Sequence, residues 1–221
     1  MALPILHIGN KNYSSWSMRP WLALKWGGIA FEEHIIPLGG EGYGLSQIKE
    51  VRAVSPNGRV PALHVDGAVI YESLAICEWA AEQAPSLWPK DALVRAQARS
   101  AATEMHAGFG ALRRDMSMNI RRRLPQPQKW PGDTRADIEQ LNEIWGNLLD
   151  RFGGPFLFGE RSIADAMFAP VATRLRTYAV EISPQAQRYC ATIFADAAFR
   201  DWERAALAET WTIEQTEALY R

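Results

Sequence analysis

The chain has 221 residues, of which 48% are hydrophobic and 22% charged, and its formal net charge at pH 7 is -1. That length fits one large domain or two small ones, and the near-neutral charge gives no electrostatic case for binding nucleic acid or an anionic membrane. Cys77 and Cys190 lie far apart and form neither a CxxC pair nor a zinc-ligand spacing, so neither a disulfide framework nor a thioredoxin-type redox site is expected.

The first third of the chain alternates short strands and helices. The apolar run at 3–8 predicts a buried strand, and 17–26 predicts a helix that ends at a pair of glycines. Residues 31–37 have the polar alternation of an edge strand, and the glycine-rich segment 39–44 is interpreted as a mobile surface loop.

A hairpin and a helix follow. Residues 60–65 and 68–71 are β-rich runs joined by Asp66 and Gly67, a dipeptide that strongly favours a hairpin. Residues 73–83 then predict a helix. The order is βαβ, a further helix or loop, and ββα, which indicates a mixed sheet with helices packed on it.

Beyond residue 85 the strand signal disappears. Apolar residues at intervals of three and four predict one long amphipathic helix over 94–120, and a second over 138–152 after a proline-rich break at 124–133. Ser162 and Asp165 have the spacing of a capping box at the start of another helix, where a structural role is expected.

Two further helices are expected at 184–194 and 198–209. The predicted organisation is therefore an α/β domain over 1–84, a linker over 85–92 and an all-helical domain over 93–221.

Serines at the junction of the first strand and first helix are candidates for catalysis. Ser14 and Ser15 stand in the segment SSWSMR, where hydroxyls and free amides at a helix N-terminus stabilise an anion such as a thiolate. The alternative for these serines is a helix cap without catalytic function.

Two later segments favour ligand binding. Pro61 is unwelcome inside a sheet, and a cis bond after Val60 would accommodate it and leave the Val60 backbone free to pair with an extended peptide. Ser73 can cap the following helix and present its amide and hydroxyl to a carboxylate, while Glu72 can face an ammonium group.

The combination of these motifs resembles the glutathione transferase family over nearly the whole chain. Ser14 matches the active-site serine of the zeta and tau classes, and the segments SPNGRVPAL, ESLAI and SIADAMFAP resemble the cis-proline, γ-glutamyl-binding and capping segments of the family. Trp16 replaces the zeta cysteine, which counts against maleylacetoacetate isomerase activity, and Ser15 replaces the tau proline.

The resemblance implies a thioredoxin-like first domain, glutathione as co-substrate, and Ser14 or Ser15 as the hydrogen-bond donor that activates its sulfur. Val60, Pro61, Glu72 and Ser73 would bind glutathione. Arg59 is either the partner of the glycyl carboxylate or a solvated surface arginine.

The electrophile is expected between the domains, beside Trp16. His106 and Arg113 are two helical turns apart on the predicted long helix, so they either face the cleft and meet a polar or anionic substrate or form a solvated face. The family also implies a homodimer that detoxifies electrophiles. Alternatives are a non-catalytic interaction module, a glutathione-dependent isomerase, and a reductase or dehalogenase, which usually relies on a cysteine that this loop lacks.

The sequence has no recognisable targeting, membrane-spanning or metal-binding pattern. The first residues lack the pattern of a signal peptide and no apolar run approaches the roughly 18 residues needed to cross a bilayer, so a cytoplasmic protein is expected. The four histidines are scattered and make no metal motif, so no metal is predicted.

Overall fold

A computed structural model describes residues 2–218, which form a small sheet with three helices followed by a helical region. The strands are β1 (Ile5–Ile8), β2 (Glu32–Ile35), β3 (Ala62–Val65) and β4 (Ala68–Tyr71). The helices that accompany them are α1 (Ser15–Trp26), α2 (Lys49–Val54) and α3 (Ser73–Gln83). After a short 3-10 turn at Pro85–Leu87, the later helices are α4 (Ala92–Ala107), α5 (Gly110–Asp115), α6 (Gly132–Phe152), α7 (Ile163–Thr177), α8 (Pro184–Ala195), α9 (Ala197–Ala208) and α10 (Glu214–Glu217).

The strands form one mixed sheet in the order β2-β1-β3-β4. β1 and β2 are parallel, whereas β1–β3 and β3–β4 are antiparallel. The predicted mixed sheet, its edge strand β2 and the hairpin at Asp66–Gly67 are therefore confirmed. α2 is the element for which the sequence left a helix or a loop open.

Three of the four histidines meet on one face of this sheet. His7 pairs with His34 across β1 and β2, and their Nδ1 atoms share a hydrogen bond of 2.9 Å. The His64 ring on β3 lies 4.4 Å from that of His7, measured between centroids. Burial, and then the nearby His64 and His34, lower the pKa of His7 to about 4. Three of the histidines that are scattered in sequence thus meet in the fold, because strand register joins residues that are distant in sequence.

α7 is the central helix of the fold, and it packs against both α1 and α4. Nearly all of its residues are buried, and the apolar core runs without a break from the sheet into the helical region. The helical region therefore supplies side chains directly beneath the first helix. The division into two domains at residue 84 stays a prediction.

The start of α7 carries the predicted capping box. The Asp165 carboxylate accepts hydrogen bonds from the Ser162 amide at 2.8 Å, from the Leu157 amide at 3.1 Å and from the Tyr189 hydroxyl at 3.1 Å. Burial raises the pKa of Asp165 to about 6 even though these bonds act in the opposite direction. Asp165 is therefore a buried structural anchor for α7 and the segment before it.

The single long helix predicted over 94–120 is wrong. α4 ends at Ala107, where the Gly108 amide donates to the Glu104 carbonyl oxygen, and Phe109 adopts the left-handed conformation at φ 53° before α5 begins. The apolar residues keep their spacing of three and four across the break, because α4 and α5 each bury an apolar face of their own. Phe109, between the two helices, packs against Phe168. Periodicity alone did not reveal this change of direction.

Within residues 2–218, no helix combines the length and the apolar character required to cross a membrane.

Candidate active site

A cavity of about 570 Å³ opens at the N-termini of α1 and α3. It is lined by every predicted site residue except Arg113: Ser14, Ser15, Trp16, Arg59, Val60, Pro61, Glu72, Ser73 and His106. Residues from four separate stretches of sequence thus converge on one opening.

The first wall of the cavity is the start of α1. Ser14 is the N-cap residue: its Oγ accepts from the Ser17 amide at 3.3 Å and donates to the Ser17 hydroxyl at 2.8 Å. The Ser17 hydroxyl also accepts from the Gly9 amide at 3.1 Å, which ties α1 to the end of β1. Ser14 therefore serves as a cap and faces the cavity at the same time.

Ser15 is the first residue of α1, which begins earlier than predicted. Its Oγ accepts a hydrogen bond of 3.1 Å from the Arg174 guanidinium of α7. The two neighbouring serines thus differ in chemistry, since Ser15 is bonded to a cation and Ser14 to another hydroxyl.

The second wall is the start of α3. Glu72 is the N-cap residue and holds the unusual backbone angle φ 80°, so it is conformationally strained. Ser73 is almost wholly buried, and its hydroxyl has no hydrogen-bond partner within residues 2–218. The prediction that Ser73 caps α3 is wrong, because Ser73 lies inside the first turn and no side chain caps the helix. A residue that lines the cavity therefore carries a buried hydroxyl without a hydrogen-bond partner in the described part of the chain.

The segment before β3 forms the side of the cavity. The Val60–Pro61 bond is cis, as predicted, and β3 starts only at Ala62. In the described part of the chain, no backbone hydrogen bond engages the Val60 amide. Arg59 is exposed, and its Nε donates to the Ser46 hydroxyl at 3.0 Å. Arg59 therefore combines surface exposure with a place at the cavity rim.

Trp16 forms the wall nearest to the helical region. Two guanidinium groups lie close to its indole, that of Arg19 at 4.3 Å and that of Arg113 at 5.5 Å, measured from Cζ to the ring centroid. The His106 ring meets it edge-on at 5.3 Å, and His106 Nε2 lies 3.7 Å from a Glu72 carboxylate oxygen. Burial, and then the charge of Arg19, lower the pKa of His106. This wall is aromatic and has positive charge close to the ring.

Arg113 is placed differently from the prediction. It belongs to α5 rather than to the helix of His106, and its guanidinium folds back to the carbonyl oxygens of His106, Ala107 and Phe109 at 3.4 Å each. The break after α4 is the reason that the two side chains do not share one helical face. Arg113 supports Trp16 from behind and does not line the cavity.

A buried arginine pair beneath the loop was missed from the sequence. Arg19 is wholly buried, and none of its guanidinium nitrogens has a hydrogen-bond partner among residues 2–218. Arg174 is also buried, and its Nε donates to the Met116 carbonyl oxygen at 2.7 Å. Burial, and then Arg174 and Arg113, lower the pKa of Arg19 to about 9. No local pattern marks either arginine, because their neighbours come from distant helices.

The C-terminal segment that holds the serine loop in place was also missed. The Glu209 carboxylate accepts from the amides of Lys11 and Asn12, at 2.6 and 3.0 Å. The Tyr13 hydroxyl donates to Glu217 at 2.6 Å and accepts from Arg121 at 2.9 Å. The contacts with Glu209 and Glu217 span about two hundred residues of sequence, and together with Arg121 they fix the loop that precedes Ser14.

Among the described residues, no group of three or more His, Cys, Asp or Glu side chains is arranged to hold a metal ion. Cys77 and Cys190 are both free thiols buried in the core, and neither lines the cavity.

The comparisons with known proteins match glutathione transferases and maleylacetoacetate isomerases. The family described as the N-terminal domain of glutathione S-transferase matches residues 13–83. The chain is 30% identical to a probable maleylacetoacetate isomerase of Caenorhabditis elegans over 82% of this chain and 83% of that protein, and 29% identical to the maleylacetoacetate isomerase of Rattus norvegicus over 82% of each.

A solved structure has the same fold. A glutathione transferase homolog from Burkholderia, crystallised with bound glutathione, matches with a TM-score of 0.70 and 24% identity over 93% of this chain and 98% of that one. The expected thioredoxin-like fold with a helical second part is thereby confirmed.

Proposed function

The chain belongs to the glutathione transferase family of enzymes, and from this premise we propose that it binds glutathione in the cavity, holds the sulfur as a thiolate and transfers it to a small electrophile. The observation that carries the proposal is the buried, unpartnered hydroxyl of Ser73, a residue that lines the same cavity as Ser14. Burying a hydroxyl without a partner is costly, so a ligand that supplies an acceptor is favoured there.

The binding groups match the parts of the tripeptide. The amide and hydroxyl of Ser73, at the N-terminus of α3, suit the γ-glutamyl carboxylate, and Glu72 suits its ammonium group. The free backbone of Val60 can pair with the cysteinyl residue as an added strand does. Arg59 at the rim is the proposed partner of the glycyl carboxylate.

Ser14 is the proposed donor to the sulfur. A free thiol has a pKa near 8.5, so only about 3% is thiolate at pH 7. The Ser14 proton now goes to the Ser17 hydroxyl, and rotation would exchange this neutral bond for a charge-assisted bond to a thiolate. The Ser17 hydroxyl keeps its bond from the Gly9 amide. Because a hydrogen bond to the charged form favours that form, the pKa of the bound thiol falls.

The transfer step follows from that thiolate. The thiol proton leaves to solvent, and the sulfur electron pair forms a bond to the electrophilic carbon, from which a leaving group departs with its bonding electrons. Trp16 and neutral His106 line the place where the electrophile lies. The positive charge of Arg19 and Arg113 beside the indole favours a substrate that gains negative charge as it reacts.

Ser14→Ala tests the proposal. In the wild-type protein we expect retention on immobilised glutathione, conjugation of an activated aryl halide, and a bound thiol whose pKa lies about two units below that of the free thiol. Ser14→Ala should lower turnover at pH 7 by up to roughly 25-fold, the loss of thiolate if the whole shift disappears, with glutathione affinity retained. Wild-type protein that retains glutathione without turnover would instead be an interaction module.

The names of the curated relatives favour a second candidate, a glutathione-dependent isomerase. The tryptophan at position 16 argues against it, since the zeta class has a cysteine there. The two reactions differ in stoichiometry, because transfer consumes one glutathione per turnover while isomerisation returns it. Titration of the remaining thiol after incubation with a maleyl substrate and with an aryl halide distinguishes them.

We also propose that the protein is a homodimer. Tyr71 on β4 and Leu93 on α4 are 44% and 78% exposed, and a second copy would remove such apolar side chains from water. Light scattering of the purified protein measures the mass directly, and a monomer at micromolar concentration contradicts this part of the proposal.

A further inference from the structure

The hydrogen bond between the helical region and Ser15 connects the proposed sulfur site to a buried cation. The Ser15 Oγ accepts from Arg174 Nη2 at 3.1 Å, and both side chains are buried to more than nine-tenths. Arg174 is held from its other side, because its Nε donates to the Met116 carbonyl oxygen at 2.7 Å. The guanidinium is therefore fixed in its orientation toward Ser15.

This contact determines where the Ser15 proton can point. A serine hydroxyl has one proton to donate and two lone pairs that accept. Arg174 occupies one lone pair, and no described residue accepts the Ser15 proton. Ser15 lines the cavity, so its proton is available to a ligand there. The Ser14 proton, in contrast, is engaged by Ser17.

The charge of Arg174 adds to this geometry. A hydroxyl that accepts from a cation becomes a stronger donor, because hydrogen bonds in a chain polarise one another. Arg19 lies nearby as a second buried cation without a hydrogen-bond partner, and Glu72 at the cavity edge is half exposed. The buried positive charge of Arg19 and Arg174 favours an anion such as a thiolate on this side of α1.

We propose that Arg174 is a positioning residue for the thiolate: it orients and polarises the Ser15 hydroxyl, which donates a second hydrogen bond to the glutathione sulfur beside that of Ser14. This rests on the proposed function and adds to it a residue from the helical region. Arg174 touches neither glutathione nor the electrophile, and its effect passes through Ser15.

A double-mutant cycle on the full-length protein tests this. The measurement is the pKa of bound glutathione, taken from the ultraviolet absorbance of the thiolate across pH at saturating glutathione. The variants are Ser15→Ala, Arg174→Lys and the double variant, alongside wild type and Ser14→Ala. Lysine keeps the charge of Arg174 but loses the planar guanidinium fork.

We expect Ser15→Ala to raise the thiol pKa by about one unit, a tenfold loss of thiolate below that pKa. Arg174→Lys should raise it by less, and the double variant should not exceed Ser15→Ala, because the arginine acts through a hydroxyl that is no longer there. Ser15→Thr keeps a hydroxyl and should stay close to wild type. A structural contact between helices would not produce this pattern in a thiol pKa.

Two controls match the changes chemically. Arg161→Lys alters an arginine that pairs with Asp196 and does not line the cavity, and Ser183→Ala alters a serine that caps α8. Neither should move the thiol pKa. If Arg174→Lys fails to fold, Ser15→Ala against Ser15→Thr still decides whether the Ser15 hydroxyl donates.

An unchanged thiol pKa in Ser15→Ala, or additive effects in the double variant, overturns the role of Arg174 while leaving Ser14 as donor. A wild-type thiol that titrates as it does in buffer overturns the proposed function instead. The two failures therefore give different results in the same experiment.

Discussion

Removing the Ser73 hydroxyl should have opposite effects on the free protein and on glutathione binding. Ser73 is 1% exposed, and its hydroxyl has no hydrogen-bond partner within residues 2–218. An unsatisfied buried polar group costs about 1–3 kcal/mol, so Ser73→Ala should raise the free energy of unfolding of the ligand-free protein by about 1 kcal/mol.

The same variant should bind glutathione more weakly. A hydrogen bond to a charged group contributes about 1.5–3 kcal/mol, and a difference of 1.4 kcal/mol is a factor of ten in affinity, so the loss should lie between roughly 10-fold and 150-fold. Urea denaturation without ligand gives the stability, and isothermal titration with glutathione gives the dissociation constant.

Ser183→Ala is the matched control. The Ser183 hydroxyl accepts from the Ala186 amide at 3.1 Å as the cap of α8, so its loss should destabilise the protein by about 1 kcal/mol and leave glutathione binding unchanged. If Ser73→Ala also destabilises the free protein and its glutathione affinity equals that of wild type, Ser73 is a structural residue and the reasoning is refuted.

Three other substitutions test the residues that stabilise the fold and the loop beside the cavity. Asp165→Ala leaves two buried backbone amides without an acceptor, so the free energy of unfolding, measured by urea denaturation, should fall by about 2–4 kcal/mol. A loss near zero contradicts the anchor role of Asp165. In the folded protein the pKa of His7 is lowered from 6.5 to about 4, so the unfolded chain binds the proton first as pH falls. The free energy of unfolding should therefore decrease by about 3 kcal/mol as pH drops from 6.5 to 4. His7→Leu should make that slope shallower in denaturation series across pH. Gly58→Ala, at φ +67°, would put a Cβ atom 2.4 Å from the Ser46 carbonyl oxygen. It should weaken glutathione binding, measured by titration, at least roughly tenfold. The control Gly67→Ala, at φ +80° with no atom within 4 Å, should leave glutathione binding unchanged.

Local chemistry explains which elements were predictable from sequence. The Asp66–Gly67 turn and the capping box of α7 depend on residues a few positions apart, so their patterns carry the structure directly. The serines before α1 were recognised as a possible cap in the same way, although the helix begins at Ser15 and not at residue 17. The break after α4 was not predictable, since Gly108 and Phe109 interrupt the helix without interrupting the apolar spacing.

The contacts that complete the site join residues that are far apart in sequence. Arg174 follows Ser15 by 159 positions, and Glu217 follows Tyr13 by 204. No periodicity or spacing encodes such pairs, because they exist only once α7 and the C-terminal segment have packed against α1. The same reason explains why Ser73 could be placed at the site while its missing partner could not be foreseen.

The serine pair illustrates this limit most directly. By their position alone Ser14 and Ser15 are both candidates, since both stand at the start of the same helix and both could cap it or meet a thiolate, and only the family resemblance favours Ser14. The fold makes them different: the proton of Ser14 goes to Ser17, and the oxygen of Ser15 receives a proton from Arg174. One hydroxyl must rotate before it can donate to a ligand, while the other already has its proton free. The distinction that matters for the chemistry of the first helix is therefore made by a side chain from the seventh.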